Sequence, residues 1–171
     1  FRSPNFDKEA VLEKCSEFFY IDEKEGTDTM EEDLKKLYDE GKKAFGFYCG
    51  KGEWFLLTLK NIDFMSQMLP DVSKASQSLD VSVLHTLILE KIFGIDKENM
   101  AKQINLTYTK FFTEAIDGVD KGEFQCSFVL NPTRVTEIRD VAAAGEKMPQ
   151  KSTYFYPKMI TGMVMNNLGV D

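Results

Sequence analysis

Ala44-Phe-Gly-Phe-Tyr-Cys49, Gly50-Lys-Gly-Glu53 and Trp54-Phe-Leu-Leu-Thr-Leu-Lys60 follow one another and together decide the fold. Two apolar runs on either side of a short, glycine-containing turn are typical of a β-hairpin. The second run is apolar on both faces, which predicts an inner strand covered from two sides. We therefore predict an α+β fold, with a largely antiparallel sheet that includes a hairpin at about 44–60 and is packed with helices.

Amphipathic spacing outside the hairpin predicts a series of helices. Thr29 and Glu32 match a capping box, in which each side chain bonds the backbone of the other residue. Asp80 is the predicted N-cap of the most apolar helix. Asn131 and Pro132 supply a predicted N-cap and first-turn proline for the last helix. The predicted helices cover 7–20, 29–41, 62–69, 81–93, 97–103, 111–119 and 131–143.

The remaining segments are predicted as strands or connections. Alternating or continuous apolar residues predict strands over 104–109 and 124–130, and a moderately apolar tail predicts a last strand over 160–168. Acidic residues over 23–28 indicate a linker, and the serine-rich stretch 71–79 indicates a loop. Helices and strands mix without βαβ periodicity, so residues 1–171 are predicted to form a single domain.

The composition limits which cellular compartment and which binding partners we expect for this protein. The net charge is −7 and the pI is about 4.9, which makes nucleic acid an unlikely partner because DNA binding needs a cationic surface. Three scattered cysteines, Cys15, Cys49 and Cys126, fit reduced thiols in the cytoplasm. The sequence has no apolar run of the length that a membrane span needs, so we expect no membrane partner. The chain starts at Phe1 rather than methionine, which predicts a fragment of a longer protein.

The most distinctive stretch lies near the C-terminus, at 145–158: Gly-Glu-Lys-Met-Pro-Gln-Lys-Ser-Thr-Tyr-Phe-Tyr-Pro-Lys. Its first eight residues match the phosphate-loop pattern Gly-x-x-x-x-Gly-Lys-Ser except at Gln150, where the pattern requires glycine. A helix rather than a strand is predicted before it, and Pro149 adds a rigid φ angle where the loop has to curl. We therefore reject a nucleotide-binding phosphate loop.

A looser anion site in this stretch remains an open hypothesis. Lysines would act as point charges toward a phosphate or carboxylate, and hydroxyl groups would donate hydrogen bonds. The alternative is a solvated surface loop whose tyrosines pack on the core. The candidate ligand-binding residues are Lys147, Lys151, Ser152, Thr153, Tyr154, Tyr156 and Lys158.

Two further residues are candidates for chemistry. His85 is the only histidine, so a metal site with two histidine ligands is excluded, although a metal bound through carboxylates stays open. His85 lies in the most apolar helix, where it is either a general base or a core histidine held by a hydrogen bond. Arg134 lies in the first turn of the last predicted helix, where a cation is mildly unfavourable and so indicates that it has a partner. The residues indicate no particular cofactor.

Several segments of the chain resemble the C-terminal part of an uncharacterised bacterial and archaeal family, domain of unknown function 1015. The similarity covers most of residues 30 to 168 and is most specific in Met-Pro-Gln-Lys-Ser-Thr-Tyr-Phe-Tyr-Pro-Lys, 148–158. The resemblance implies that the chain is the C-terminal portion of a longer protein, with a missing N-terminal half as its partner. It also implies a link to serine metabolism and, through it, a phosphorylated amino or hydroxy acid as ligand.

These observations lead to two classes of function. The first is a cytoplasmic protein that binds or processes a small anionic metabolite through the 145–158 stretch, with His85 as the candidate catalytic residue. The alternative is a non-catalytic binding or interaction module, which includes the helix-turn-helix label given to the family that the chain resembles. Such a module would complete a site with the missing N-terminal half.

Overall fold

The computed structural model of this chain describes residues 6–149 and residue 152, and its fold is α+β. Four antiparallel strands form one sheet in the order β1-β3-β2-β4. The strands are β1 (Phe19–Glu25), β2 (Ala44–Gly50), β3 (Glu53–Leu59) and β4 (Ser127–Leu130). The helices are α1 (Lys8–Phe18), α2 (Met30–Asp39), α3 (Asp63–Met68), α4 (Lys74–Gln77), α5 (Asp80–Val83), α6 (Lys97–Lys102), α7 (Phe112–Asp120) and α8 (Val135–Ala143). A π-helix, Leu84–Ile92, continues α5, and a 3₁₀ turn, Thr27–Thr29, precedes α2.

The predicted hairpin is confirmed as β2 and β3, which pair from Ala44 with Thr58 to Gly50 with Glu53. The turn between them carries three successive residues with positive φ angles, Gly50, Lys51 and Gly52, at 101°, 58° and 80°. Glycine adopts this backbone without steric cost, which explains the composition of the turn. The inner position predicted for the second run is also confirmed, because β3 lies between β1 and β2.

Helices cover both faces of the sheet. Phe45, Phe47, Phe55 and Leu57 pack with α1 and the π-helix in one buried cluster, whereas Ala44, Tyr48, Trp54 and Leu56 pack with α2 and α7 in a second. Alternate residues of a strand point to opposite faces, so the continuous apolar runs supply both clusters. The sheet is therefore the middle layer of three.

The linker predicted at 23–28 is wrong, because residues 19–25 form strand β1. This strand pairs along its whole length with β3, from Phe19 opposite Leu59 to Glu25 opposite Glu53. An edge strand pairs through its backbone while its charged side chains stay in solvent. Acidic composition alone therefore did not distinguish an edge strand from a linker.

Three other predicted segments also differ from the structure. Residues 104–109 contain neither helix nor strand, residues 71–79 include the short helix α4, and the last helix begins at Val135 rather than after Asn131. Asn131 is buried, and its Nδ2 donates a hydrogen bond to the Leu34 carbonyl oxygen at 2.9 Å. That bond uses the side-chain amide that was predicted to cap the helix.

The two other predicted caps are also not formed as expected. Thr29 makes no side-chain cap, and its hydroxyl lies 3.5 Å from an Asp33 carboxylate oxygen. Asp80 makes no cap either, since its carboxylate faces Lys43. The last predicted strand, over 160–168, lies outside the described residues.

Candidate functional site

A cleft runs along the outer edge of β4, between the two helical layers. Its volume is about 820 Å³, and residues of both layers line it. We call it the edge cleft. The π-helix and the 106–111 segment supply one side, and α7 with Glu31 supplies the other. The residues of β4 and those that follow it are shared by both sides. The principal lining residues are Leu84, His85, Leu89, Tyr108, Phe112, Gly118, Phe124, Phe128, Val129, Asn131, Thr133 and Ser152.

Strand β4 presents the cleft with a polar backbone. In the described part of the chain β4 pairs only with β2, from Phe45 opposite Leu130 to Tyr48 opposite Ser127. In an antiparallel pair alternate residues bond the partner strand, so the others direct their N–H and C=O groups to the outer side. The buried Ser127 hydroxyl also has no hydrogen-bond partner among the described residues. The cleft therefore offers both backbone and side-chain hydrogen-bonding groups.

His85 lies in the π-helix on the wall of this cleft. Its ring meets the Tyr108 ring edge-on, with centroids 6.2 Å apart and an interplanar angle of 65°. Its buried Nε2 has no hydrogen-bond partner among the described residues. Burial lowers the pKa of His85 to about 4, so the imidazole is neutral at neutral pH. It can donate one hydrogen bond and accept another, but it supplies no positive charge.

Charged residues stand at the rim of the cleft. Two lysines, Lys110 and Lys121, and four carboxylates line it, which is a formal charge of −2. The carboxylates are those of Glu31, Glu114, Asp117 and Glu123. Asp117 pairs with Lys121 at 3.3 Å, and the Thr109 hydroxyl donates to the Glu114 carboxylate. The described lining thus contains hydroxyl donors but no excess of cations.

Ser152 belongs to the cleft as well. The Thr133 hydroxyl donates to the Ser152 carbonyl oxygen at 3.3 Å, and the Ser152 hydroxyl donates to the Pro149 carbonyl oxygen at 2.5 Å. These bonds hold Ser152 beside the end of β4. The structure therefore brings two of the candidate residues from sequence, His85 and Ser152, to one cavity.

The other candidate residues have different positions. Lys147 is exposed and does not line the cleft. Arg134 stacks on Tyr38, with its guanidinium carbon 4.1 Å from the ring centroid, and also pairs with Asp39. The Arg134 guanidinium thus has a carboxylate and an aromatic ring as its partners, outside the edge cleft. Lys151, Thr153, Tyr154, Tyr156 and Lys158 lie outside the described residues.

A partly buried polar network below Arg134, of which Asp80 is the buried member, was not found from the sequence. The Tyr38 hydroxyl donates to Glu137, and Lys43 lies 3.7 Å from Glu137 and 3.2 Å from an Asp80 carboxylate oxygen. Lys43 and Asp80 form an ion pair, and Asp80 is buried. Burial raises the pKa of Asp80 to about 6, although Lys43 opposes the shift.

Nothing local in the sequence points to this network. Its members come from α2, the residue before β2, α5 and α8, and they meet only when the chain has folded. A lysine in front of an apolar strand and an aspartate in front of an apolar helix each have an ordinary local explanation. Asp80 was accordingly predicted as a helix cap.

Glu146, at the start of the 145–158 stretch, fastens the stretch to α4. Its carboxylate accepts hydrogen bonds from the Ser73 backbone at 2.8 Å, from the Ser73 hydroxyl at 2.7 Å and from the Ser76 hydroxyl. These bonds, with that of Ser76 first, lower the pKa of Glu146. The serine-rich segment, predicted as a plain loop, therefore anchors the residues that lead to the cleft.

Three other properties of the described residues bear on function. In residues 6–149 and 152 there is no helix long and apolar enough to cross a membrane. The same residues contain no group of three histidine, cysteine or acidic side chains that could hold a metal ion. Comparison with protein-family models, with curated proteins and with solved structures finds no match to this chain.

Proposed function

We propose that this chain binds a small metabolite with one anionic group, a phosphate or a carboxylate, in the edge cleft. The observation that carries the proposal is the meeting of His85 and Ser152 in a single cavity of about 820 Å³. Ser152 belongs to the 145–158 stretch, whose lysines and hydroxyl groups are predicted from the sequence to bind an anion. A concave site with apolar walls and a few convergent polar groups is where small ligands bind.

The walls suit the body of such a ligand. Leu84, Leu89 and Phe128 offer apolar surface. The neutral imidazole of His85 and the hydroxyl of Ser127 are buried beside them. Nε2 of His85 and Oγ of Ser127 lack a hydrogen-bond partner among the described residues, and a ligand could supply one to each. A buried polar atom without a partner costs about 1–3 kcal/mol, and such a ligand would remove that cost.

The charge for the anion has to come from the 145–158 stretch. The described lining is formally negative, and His85 is neutral, so neither attracts an anion. Lys151 directly precedes Ser152 and Lys158 follows it by six residues. Lys110 and Lys121 line the cleft among four carboxylates, so we assign the anion to the ammonium groups of Lys151 and Lys158. In this proposal His85 orients the ligand or accepts a proton from it.

The test is calorimetric titration of the whole chain with O-phosphoserine, serine, inorganic phosphate and acetate. We expect O-phosphoserine to bind more tightly than serine, because only the former carries the phosphate. Lys151→Ala should weaken its binding about tenfold, which corresponds to one lost charged hydrogen bond. Lys14→Ala is the matched control, since Lys14 is an exposed lysine on α1, away from the cleft.

Two results would overturn the proposal. One is the absence of binding for every compound, each tested at concentrations up to ~10 mM, where even weak affinities are measurable. The other is an equal loss of affinity in Lys151→Ala and Lys14→Ala, which would show a non-specific charge effect. His85→Gln adds a second check, because it changes the cleft wall without changing the charge at neutral pH.

A further inference from the structure

We propose that Cys49 and Cys126 are a redox-sensitive pair, which hydrogen peroxide converts to a disulfide between β2 and the residue before β4. The inference goes beyond the proposed function and does not rest on it, because neither thiol is needed to bind an anion. It rests on the register of the two strands, on the face of the sheet that the two side chains share, and on the partial exposure of Cys49.

The pairing of β2 with β4 leads directly to the two cysteines. The strands pair antiparallel up to Tyr48, which lies opposite Ser127. Cys49 is the next residue of β2, and Cys126 directly precedes Ser127. One further step in the same register therefore places Cys49 opposite Cys126. Opposite residues of an antiparallel pair have Cα atoms about 4.5–5.5 Å apart, and a disulfide needs a separation of about 4.4–6.8 Å.

Cys49 and Cys126 also lie on the same face of the sheet. Alternate residues of a strand share a face, so Cys49 lies on the side of Phe47. By the same rule Cys126, two residues before Phe128, lies on the side of that phenylalanine. The Phe47 and Phe128 rings stack with their centroids 4.8 Å apart, and both cysteines pack in the same hydrophobic cluster as these rings.

The electrostatics of the two thiols agree with this placement. Burial raises the pKa of the Cys126 thiol, and Cys49 adds to the rise. One thiol influences the pKa of another only when the two sulfur atoms are close, because the interaction weakens with distance. Register, shared face and mutual influence therefore all bring the two sulfur atoms together.

Cys15 is the third thiol of this cluster, and its position makes it a poorer partner. It lies on helix α1, whose principal backbone approaches are to β1 and the π-helix rather than to β2 or β4. No strand pairing holds its Cα atom at disulfide distance from either of the other two thiols. Cys15 is therefore the natural control for the proposed pair.

Cys49 is the thiol that an oxidant reaches first, because it is half-buried whereas Cys126 is fully buried. In the first step the Cys49 sulfur bonds to one oxygen of hydrogen peroxide, the O–O bond breaks, and the departing hydroxide takes the thiol proton to become water. In the second step the Cys126 sulfur bonds to the Cys49 sulfur, the S–O bond breaks, and the hydroxide leaves with the Cys126 proton as water. Each sulfur gives up one electron, and the peroxide is reduced to two water molecules.

Burial makes this oxidation slow at neutral pH. It raises the pKa of the Cys49 thiol to about 12, although the Lys8 ammonium opposes the shift. The thiolate is the reactive form, so the rate of the first step should rise about tenfold for each pH unit below that pKa. The pair therefore responds to prolonged rather than to brief exposure to peroxide.

The disulfide would act on the strand that borders the edge cleft. Cys126 is one of the residues that line the cleft, and β4 follows it directly. A covalent link at this point ties the start of β4 to β2 and limits any opening of β4 away from the sheet. Oxidation would thus stiffen the inner wall of the cleft.

Disulfide mapping of the whole chain tests the pairing. The protein is incubated with hydrogen peroxide, its remaining thiols are blocked with N-ethylmaleimide, and it is digested without reductant for mass spectrometry. We expect one intramolecular disulfide, between the peptide of Cys49 and that of Cys126, which dithiothreitol reverses. It should form about tenfold faster at pH 9 than at pH 8.

Two variants sharpen the mapping. Cys49→Ala should abolish the disulfide, whereas Cys15→Ala, which removes another thiol of the same cluster, should leave it intact. Mapping of the unaltered chain needs neither variant and decides the pairing even if one of them fails to fold. A disulfide that includes Cys15, disulfides formed only between molecules, or two unlinked thiols after prolonged exposure would each overturn the proposal.

Discussion

The two edge strands of the sheet differ in composition: one carries charged residues and the other does not. Strand β1 ends in Asp22-Glu23-Lys24-Glu25, whereas β4 reads Ser127-Phe-Val-Leu130 and carries no charge. Charged side chains on an exposed edge strand prevent pairing with another chain. The first edge therefore closes the sheet by its composition, and the second, which faces a cleft, is suited to receive a further strand. The composition of the two edges therefore favours the addition of a strand at β4 over its addition at β1.

The β1 edge is also held firmly from inside. Trp54 on β3 lies opposite Lys24 of β1, is fully buried, and donates a hydrogen bond from Nε1 to the Gly26 carbonyl oxygen at 2.9 Å. Gly26 directly follows β1, so this bond fixes the end of the edge strand to the core. At β4, the corresponding anchor is the Asn131 side chain, whose amide bonds the Leu34 carbonyl oxygen of α2.

The largest expected effect comes from loosening the closed edge. Trp54→Ala removes a large buried side chain and the bond to Gly26, so we expect the free energy of unfolding to fall by about 3–5 kcal/mol. Urea denaturation measures it. Trp54→Phe keeps most of the volume but loses the hydrogen bond, and should cost about 1–2 kcal/mol. A loss below about 1 kcal/mol in Trp54→Ala would contradict the role given to Trp54.

The second-largest effect is on the pH dependence of stability. It concerns two buried ionisable groups on one continuous helix, Asp80 and His85. Asp80 lies in the network under α8, with a pKa raised from 3.8 to about 6, and His85 lies in the edge cleft, with a pKa lowered from 6.5 to about 4. Between pH 4 and 6 folded Asp80 holds a proton that the unfolded chain releases, so its contribution to stability falls as the pH rises. Unfolded His85 holds a proton that the folded chain releases, so its contribution rises.

These two contributions oppose each other, and each amounts to about 3 kcal/mol across its window, since one pKa unit is about 1.4 kcal/mol. Asp80→Asn leaves only the rising term, so its stability relative to the wild type should increase between pH 4.5 and 6.5. His85→Gln leaves the falling term and should show the opposite change. Asp140→Asn, at an exposed carboxylate on α8, serves as the control.

Denaturation at several pH values checks both signs at once. Parallel pH profiles for the wild type and both variants would contradict the burial argument at both positions. A change in Asp80→Asn alone would show that water or a ligand solvates His85 in the cleft. Comparison of the two variants therefore separates the buried network from the cleft.

The sequence was most informative where neighbouring residues determine the structure. The hairpin and its glycine turn follow from local apolar runs and from backbone preferences, and both were predicted correctly. The apolar second strand also revealed that both faces of the sheet are covered. These features need only the periodicity of side chains and the conformational freedom of glycine.

The sequence was least informative where the partner lies far along the chain. Asp80 and Asn131 have the composition of helix caps, but in the folded protein they meet Lys43 and the Leu34 carbonyl. The local capping bond competes with a buried partner, and the buried partner prevails because an unpaired polar group inside the protein costs more than a frayed helix end. The site was not predicted because its residues are also far apart in sequence: His85 and Ser152 share a cleft only after folding.

The smallest change in stability should come from removing charges at the closed edge. Glu23 is exposed, and Lys24, which lies 3.8 Å from Asp33, is half-buried. The double variant Glu23→Thr with Lys24→Thr keeps the net charge and replaces both residues by good strand formers. We expect the free energy of unfolding to change by no more than about 0.5 kcal/mol. What should change is the protein's association in solution.

With only Asp22 and Glu25 left as charges on β1, the sheet would have a second edge better able to pair, and we expect concentration-dependent self-association in sedimentation velocity experiments. Arg139→Thr with Asp140→Thr is the matched control, since it also removes one cation and one anion from an exposed ion pair, but on helix α8. Association of both double variants would point to a general loss of surface charge. A monomeric β1 variant would show instead that strand length or twist, rather than charge, keeps this edge closed, and the contrast with β4 would then lie in the cleft alone.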